Sequence, residues 1–323
     1  VRRLLVPATT ALALALPVLG VTSPAAAGDD HGRPATYELQ GDDGGSKFEG
    51  IGVDPRERTF YVSEVTGGEI HRGDVRTGRT REWLPEGVDG RTTARGITTD
   101  EKGRIYIAGG PNGLDNDRPD LWVYDADGTL LAALRVDVPD AFLNDVTIGP
   151  DGAAYVTNSN APQVFRVARE HGDWQVTRWA DATGTIPTQI GPNLFNLGGI
   201  VVAPDGDALI AAQGTTGDLW RFDLRSRKVT EIDTGGADLT NADGLVLEGS
   251  TLIVIRNFAR VITTLQLDRH ARSAAVLEER PTDATRVFTT GKEARGRLLL
   301  VDSKFDEPVA APPYEVVAVP MPR

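Results

Sequence analysis

Apolar positions along this chain come in short runs, and the runs recur. "FEGIGVDPRERTFYVSE" begins at Phe48, "ARGITTDEKGRIYIAGG" at Ala94, "LNDVTIGPDGAAYVTNS" at Leu143, "LGGIVVAPDGDALIAAQ" at Leu197 and "ADGLVLEGSTLIVIRN" at Ala242. A degenerate sixth copy, "TRVFTTGKEARGRLLLVDS", begins at Thr285. Each copy reads as an apolar strand, a polar turn and a second apolar strand. Successive copies start 43 to 54 residues apart. Further strand candidates follow most copies, among them "DLWVYDADGTLLAALRV" and "DLWRFDLRSRKVTEI". No stretch carries a long helical period.

Four strands per repeat at this period predict an all-β, six-bladed β-propeller with four antiparallel strands per blade, one domain over residues 35–323. A row of separate sandwiches does not account for the even spacing. An open ring would leave unpaired strand edges, so the ring is expected to close. "ATYELQ", residues 35–40, precedes the first copy without a blade of its own. It is assigned as the outer strand of blade six, beside "YEVVAVP". Tryptophans such as Trp122 and Trp220 fall in outer strands and are expected to pack between blades.

In such a ring the residues leading into the first strands face one mouth of the central channel. Aligning the copies there gives Glu49, Arg95, Asn144, Gly198, Asp243 and Arg286. Asn196 lies two residues before Gly198 and shares its strand parity. Acids gathered at a channel mouth repel unless a cation or proton intervenes, and carboxylate and amide oxygens suit calcium or magnesium. Acids and amides at strand starts also satisfy turn and backbone groups, and the residues alone leave both roles open. The loops "GGPNGLDND" (109–117), "TNSNAPQ" (157–163) and "IRNFAR" (255–260) overhang the same mouth. They bring Asn158 and Arg256 into the set of candidate substrate contacts. The first loop, with Asp115, Asn116 and Asp117, reads as a solvated rim rather than a calcium loop.

The segments "FEGIGVD", "FLNDVTIGPDGAAYVTNS", "NLFNLGGIVVAPDGDALIAAQGTTGDLWRFD" and "TNADGLVLEGSTLIVIRN" resemble the family of senescence marker protein, gluconolactonase and luciferin-regenerating enzyme, and within it the secreted bacterial branch. The resemblance implies a six-bladed propeller holding a divalent cation at its mouth through a glutamate, an asparagine and an aspartate, with lactone hydrolysis in many members. Glu49 matches that glutamate and Asp243 the aspartate. Asn144, in "LND", matches an asparagine beside metal and substrate. Gly198 stands where the family's liganding asparagine falls, and Asn196 is our expected substitute. Phe142 stands where the family often has an arginine.

Charge and composition narrow the partners. The formal net charge is −12, a poor match for nucleic acid. No basic or amphipathic run suits membrane insertion. There is no cysteine, so thiol chemistry is excluded. Residues 1–27, with two arginines, an apolar stretch and "AAA", read as a secretory signal peptide; residues 28–34 read as a flexible lead-in to an extracellular monomer. The four histidines form no zinc-spaced motif, and no G-x-S-x-G marks a serine nucleophile. The expected function is hydrolysis of a lactone or similar small ester with a divalent cation, calcium first and magnesium, manganese or zinc as alternatives. The cation would bind Glu49, Asn144, Asn196 and Asp243, with Asp243 as general base and Arg95 holding a substrate carboxylate. The alternative is a non-catalytic propeller binding a small molecule or peptide at the same mouth.

Overall fold

The structure, a computed structural model, describes residues 32–111 and 118–322. The expected leader and the loop residues Asp115, Asn116 and Asp117 lie outside the described residues, as does most of the lead-in. Six small antiparallel sheets follow one another along the chain. After β1 (Thr36–Leu39), blade one holds β2 (Phe48–Val53), β3 (Thr59–Glu64), β4 (Ile70–Asp74) and β5 (Thr80–Leu84). Blade two holds β6 (Ile97–Thr99) and β7 (Ile105–Ala108), and after the two-residue β8 (Gly110–Pro111) continues with β9 (Leu121–Tyr124) and β10 (Leu130–Leu134). Blade three is β11 (Phe142–Ile148), β12 (Ala154–Asn158), β13 (Gln163–Glu170) and β14 (Asp173–Asp181). Blade four is β15 (Leu197–Val202), β16 (Ala208–Gln213), β17 (Asp218–Asp223) and β18 (Val229–Glu231). Blade five is β19 (Ala242–Glu248), β20 (Thr251–Arg256), β21 (Val261–Leu267) and β22 (Ala274–Pro281). Blade six is β23 (Phe288–Ala294), β24 (Arg297–Asp302) and β25 (Tyr314–Pro320).

The fold is the six-bladed propeller that the repeat predicted. Blade six lacks a fourth strand of its own, and β1 supplies it, with Tyr37 opposite Val316 and Leu39 opposite Tyr314. Both ends of the propeller thus share one sheet, which leaves no open edge between the first and last blades. The turns after the first strands of blades two, three and four repeat a local device. Asp100 Oδ1 accepts from the backbone N–H of Lys102 and of Arg104, both at 2.9 Å. Gly103, Gly152 and Gly206 then take φ of 77°, 75° and 74°, the left-handed region that side chains avoid.

The inner strands are largely apolar because both faces are covered, the polar exceptions falling mainly at their channel-mouth ends. β16 is buried throughout, whereas β22 at the rim of blade five is mostly exposed. Between successive blades lie apolar clusters. Tyr37, Phe48, Phe60, Leu299 and Tyr314 join blades six and one; Tyr61, Ile97, Ile105 and Trp122 join one and two. Trp122 and Trp220 pack in these seams as expected. The 109–117 loop departs from its expected form. Its start is β8, which crosses to blade three and pairs with β11, Pro111 opposite Phe142 and Gly110 opposite Leu143.

Candidate functional site

The six ring positions are set by one recurring irregularity. The innermost ladder slips between Phe48 and Ile51, Leu143 and Val146, Leu197 and Ile200, Ala242 and Leu245, and Phe288 and Gly291. Each slip is a β-bulge holding two residues: Glu49 with Gly50, Asn144 with Asp145, Gly198 with Gly199, Asp243 with Gly244, and Thr289 with Thr290. In blade two, Arg95 and Gly96 take the same place ahead of β6, where Arg95 N donates to Ala108 O and Ala108 N to Gly96 O, both at 2.8 Å. A bulge bends its strand and re-aims its side chains. Here it brings Glu49, Asn144 and Asp243, each the first of its pair, to the channel.

The second residue of most pairs is glycine because the next blade's bulge packs against it. A Cβ on Gly50 would collide with the Arg95 carbonyl, one on Gly199 with the Asp243 carbonyl, and one on Gly244 with Thr290. The bulges are also bonded in sequence. Gly96 N donates to Asn144 O at 2.6 Å, Thr157 Oγ1 to Gly198 O at 2.7 Å, and Thr289 Oγ1 to Glu49 O at 3.0 Å. Asp145 takes the glycine position in blade three and clamps two blades. Its Oδ1 accepts from Val146 N at 2.8 Å and its Oδ2 from Ile200 N at 3.0 Å.

Glu49, Asn144, Asp145, Asp243 and Thr290, with four bulge glycines, line one small cavity on the channel. Measured at the centre of a water-sized sphere its volume is about 10 Å³, room for about one water or one ion. Burial raises the pKa of Glu49, Asp145 and Asp243 above the usual carboxylate range. Asp243 is raised well above it, by burial first and by the charge of Glu49 next. Its Oδ2 accepts from Asn257 Nδ2 at 2.8 Å, and its Oδ1 faces Gly198, where a Cβ would stand 3.9 Å away.

Two bases offset the acids. Arg95 Nη1 donates to Glu49 Oε2 in a close ion pair. Its guanidinium lies 4.6 Å from the centroid of the Phe142 ring and 5.9 Å from that of Phe305. Phe142 therefore supports the arginine of the preceding blade. Lys292, in β23, has its ammonium pKa lowered by burial and partly restored by the charge of Asp145.

The structure brings Glu49, Arg95, Asn144 and Asp243 together and directs four other candidates elsewhere. Asn196 is fully buried with its amide spent on backbone: Oδ1 accepts from Gln189 N at 2.9 Å, and Nδ2 donates to Gln189 O at 3.1 Å and Ser159 O at 3.2 Å. It braces the loop ahead of β15 and does not reach the channel. The parity argument fails there because Asn196 precedes the strand and the bulge at Gly198 and Gly199 breaks the alternation. Asn158 Oδ1 accepts from Phe142 N at 2.9 Å and its Nδ2 donates to Gln163 Oε1 at 3.1 Å, so it too is a brace. Arg256 points away, donating to Thr240 O at 3.1 Å and Glu279 Oε1 at 3.0 Å; its neighbour Asn257 is the one that reaches the ring. Arg286 is engaged by Asp283 and Glu315, and the sixth ring position is Thr289. Asp145, Asn257 and Lys292 were not singled out from sequence. Of these, Asp145 left a signal, as a residue that interrupts the run of second-position glycines in the first five copies.

The family model described as "SMP-30/Gluconolactonase/LRE-like region" matches residues 48–255. No curated protein matches the chain by sequence. Among solved structures, the chain is similar to a gluconolactonase from Xanthomonas campestris, at 17% identity and a TM-score of 0.60, covering 87% of this chain and 88% of that one. A calcium-binding protein, regucalcin, from Agrobacterium tumefaciens gives 18% identity and a TM-score of 0.58, covering 90% and 98%. The Malassezia sympodialis allergen Mala s 1 gives 15% identity and a TM-score of 0.66, covering 88% and 96%. At these identities the likeness speaks for the fold.

Proposed function

The chain belongs to the SMP-30/gluconolactonase/LRE-like family, and on that premise we propose that the channel mouth is a metal-assisted lactonase site. The observation that carries the reading is the convergence of Glu49, Asn144 and Asp243, from three blades, on one ion-sized cavity. The donor set fits a divalent cation: these are hard oxygens, and the raised pKa values of the acids mark a cluster short of positive charge. Glu49, Asn144 and Asp243 would hold the cation, calcium being the expected ion, as in the family resemblance and the calcium-binding relative. When bound, it would polarise the ester carbonyl and acidify an attacking water.

The protein's own groups do the rest. Asn257 fixes one oxygen of Asp243 and leaves the other facing open space beside Gly198. That oxygen takes the proton of the attacking water, and its pKa, raised by burial, makes it a stronger base than an ordinary carboxylate. Water oxygen bonds to the carbonyl carbon, the bond to the ring oxygen breaks, and the proton returns from Asp243 to that oxygen. The product is the open hydroxy acid. Among the described residues Arg95 donates its side-chain hydrogen bond through Nη1, which leaves Nη2 to hold a substrate oxygen.

The wall beside Arg95 is aromatic: Phe142 meets Phe195 edge-on at 6.0 Å, and Phe195 is 41% exposed. This supports a lactone carrying an apolar substituent over a bare sugar lactone. Export rests on the leader pattern of residues 1–27, and an N-terminus at Gly28 in secreted protein tests it. For the activity, a panel of sugar, aliphatic and aryl lactones is assayed with and without chelator, on the native chain and Asp243→Asn. Turnover abolished by chelator and by the substitution supports the reading. Turnover indifferent to both overturns it, and saturable lactone binding without turnover replaces it with a binding propeller.

A further inference from the structure

Blade one carries a second group of acids, apart from those lining the channel cavity. Asp42, Glu64 and Glu69 each offer a carboxylate oxygen, and these lie within 4.8 Å of one another. Glu64 ends β3, Glu69 immediately precedes β4, and Asp42 sits in the segment joining β1 to β2. The β3–β4 turn is shaped to bring Glu69 inward. A Cβ on Gly67 would collide with the Glu69 carboxylate, and Gly68 has φ +84°. Glu64 and Glu69 are 1% and 5% exposed. Among the described residues no lysine or arginine forms an ion pair with any of the three. Arg91, whose charge reaches Glu69, spends its guanidinium on Gly68 O, Tyr124 OH and Pro85 O.

An independent observation points to a ligand there. His71, in β4, is 3% exposed, and neither ring nitrogen has a hydrogen-bond partner. Its Nε2 faces Glu64 Oε2 at 3.6 Å, too far for a hydrogen bond. The Phe48 ring meets the imidazole edge-on at 5.1 Å and fixes its plane. Glu69 Oε2 is also buried without a partner. Buried polar atoms are nearly always satisfied, so the imidazole beside Glu64 and the unpaired Glu69 oxygen within the carboxylate group call for a partner.

We propose that Asp42, Glu64 and Glu69, with His71 drawn in from beside Glu64, form a second divalent-cation site, selective for a first-row transition ion such as zinc. One imidazole among three carboxylates sets the preference, since nitrogen donors favour such ions over calcium and magnesium. The electrostatics agree: burial, then the charge of Glu64, pushes the Glu69 carboxyl up to about 7. The cation would tie the segment containing Asp42, which links the closing strand β1 to blade one, onto the β3–β4 hairpin. Its role is to fasten the ring closure. It does not depend on the lactonase reading.

The test uses the full mature chain carrying Glu49→Gln and Asp243→Asn, which silence the channel cavity. After chelator treatment it is titrated calorimetrically with Zn²⁺ alone and Ca²⁺ alone at pH 8. The expected result is one zinc per chain, with calcium at least about tenfold weaker. Adding Glu69→Gln or His71→Gln should weaken zinc at least about tenfold, a loss typical even of outer-sphere partners of a metal. Cobalt should give a visible absorption band that both substitutions abolish. Glu69→Gln keeps the side chain's shape, and an unchanged circular dichroism spectrum shows that the fold is intact. No zinc bound in the silenced background overturns the proposal, as does equal affinity after Glu69→Gln and His71→Gln, or calcium binding as tightly as zinc.

Discussion

Adjacent glycines in blade four should respond oppositely to the same added methyl group. At Gly199 a Cβ would collide with the Asp243 carbonyl and stand 2.8 Å from Leu245 N and 3.1 Å from Gly244 C. All three are backbone atoms of the next blade's bulge, and none can swing aside. Gly199→Ala is therefore expected to cost about 3 kcal/mol, the top of the usual range for overpacking. At about 2–4 °C per kcal/mol for a large domain, the melting temperature should fall by roughly 6–12 °C. At Gly198 the nearest atoms to an added Cβ are 3.8 Å and 3.9 Å away, ordinary contact. Gly198→Ala should be neutral or stabilise by about 0.4–1 kcal/mol through the unfolded chain. Differential scanning calorimetry on the two proteins decides it. Because the Gly199 collision displaces the bulge holding Asp243, lactone turnover should fall with stability in that variant only. Melting temperatures within about 1 °C of each other, on a scale of about 2–4 °C per kcal/mol, or a greater loss at Gly198, would refute the packing argument.

Asp243→Asn should lower kcat by about 10²–10⁴, the usual worth of a general base, in a protein whose circular dichroism is unchanged. The raised pKa of Asp243 also has a stability sign. The folded chain keeps that proton to higher pH than the unfolded one, so metal-free stability is greatest below the ordinary 3.8 and falls as pH climbs through the raised value. Thermal melts across pH should show Asp243→Asn lacking part of that fall. Glu69→Gln should remove a separate loss between the ordinary 4.5 and about 7, read the same way. Asn257→Ala removes the hydrogen bond that lowers the Asp243 pKa, so the acidic limb of the pH–rate profile should move to higher pH. Gly198→Asn places a side chain beside Asp243 Oδ1 and should tighten metal binding in calorimetry.

The sequence made the blades legible because each inner strand is covered on both faces and each first turn needs an Asp or Gly, which leaves a periodic trace. The ring was legible for Glu49, Arg95, Asn144 and Asp243, whose neighbours repeat the same short phrase. It was misread in blade six, where the landmark is Phe288 and the ring residue is Thr289, three positions beyond Arg286. Asn196, Asn158 and Arg256 make hydrogen bonds that the sequence did not show, for one shared reason. Each is held by groups distant in sequence or outside the channel, such as Ser159 O for Asn196 and Glu279 for Arg256. Strand parity cannot report such partners, and it fails across a bulge. The facing of His71 toward Glu64 was equally hidden, since it depends on how the β3–β4 hairpin turns.

The central claim is that Glu49, Asn144 and Asp243 hold a divalent cation on the propeller axis. Anomalous diffraction from crystals grown with Mn²⁺ tests it most directly. The account predicts a peak bonded to all three side chains, with Arg95 displaced from Glu49, and no such peak in Asp243→Asn crystals. A map with no peak there, Arg95 still paired with Glu49, and lactone turnover intact in the same preparation would contradict it.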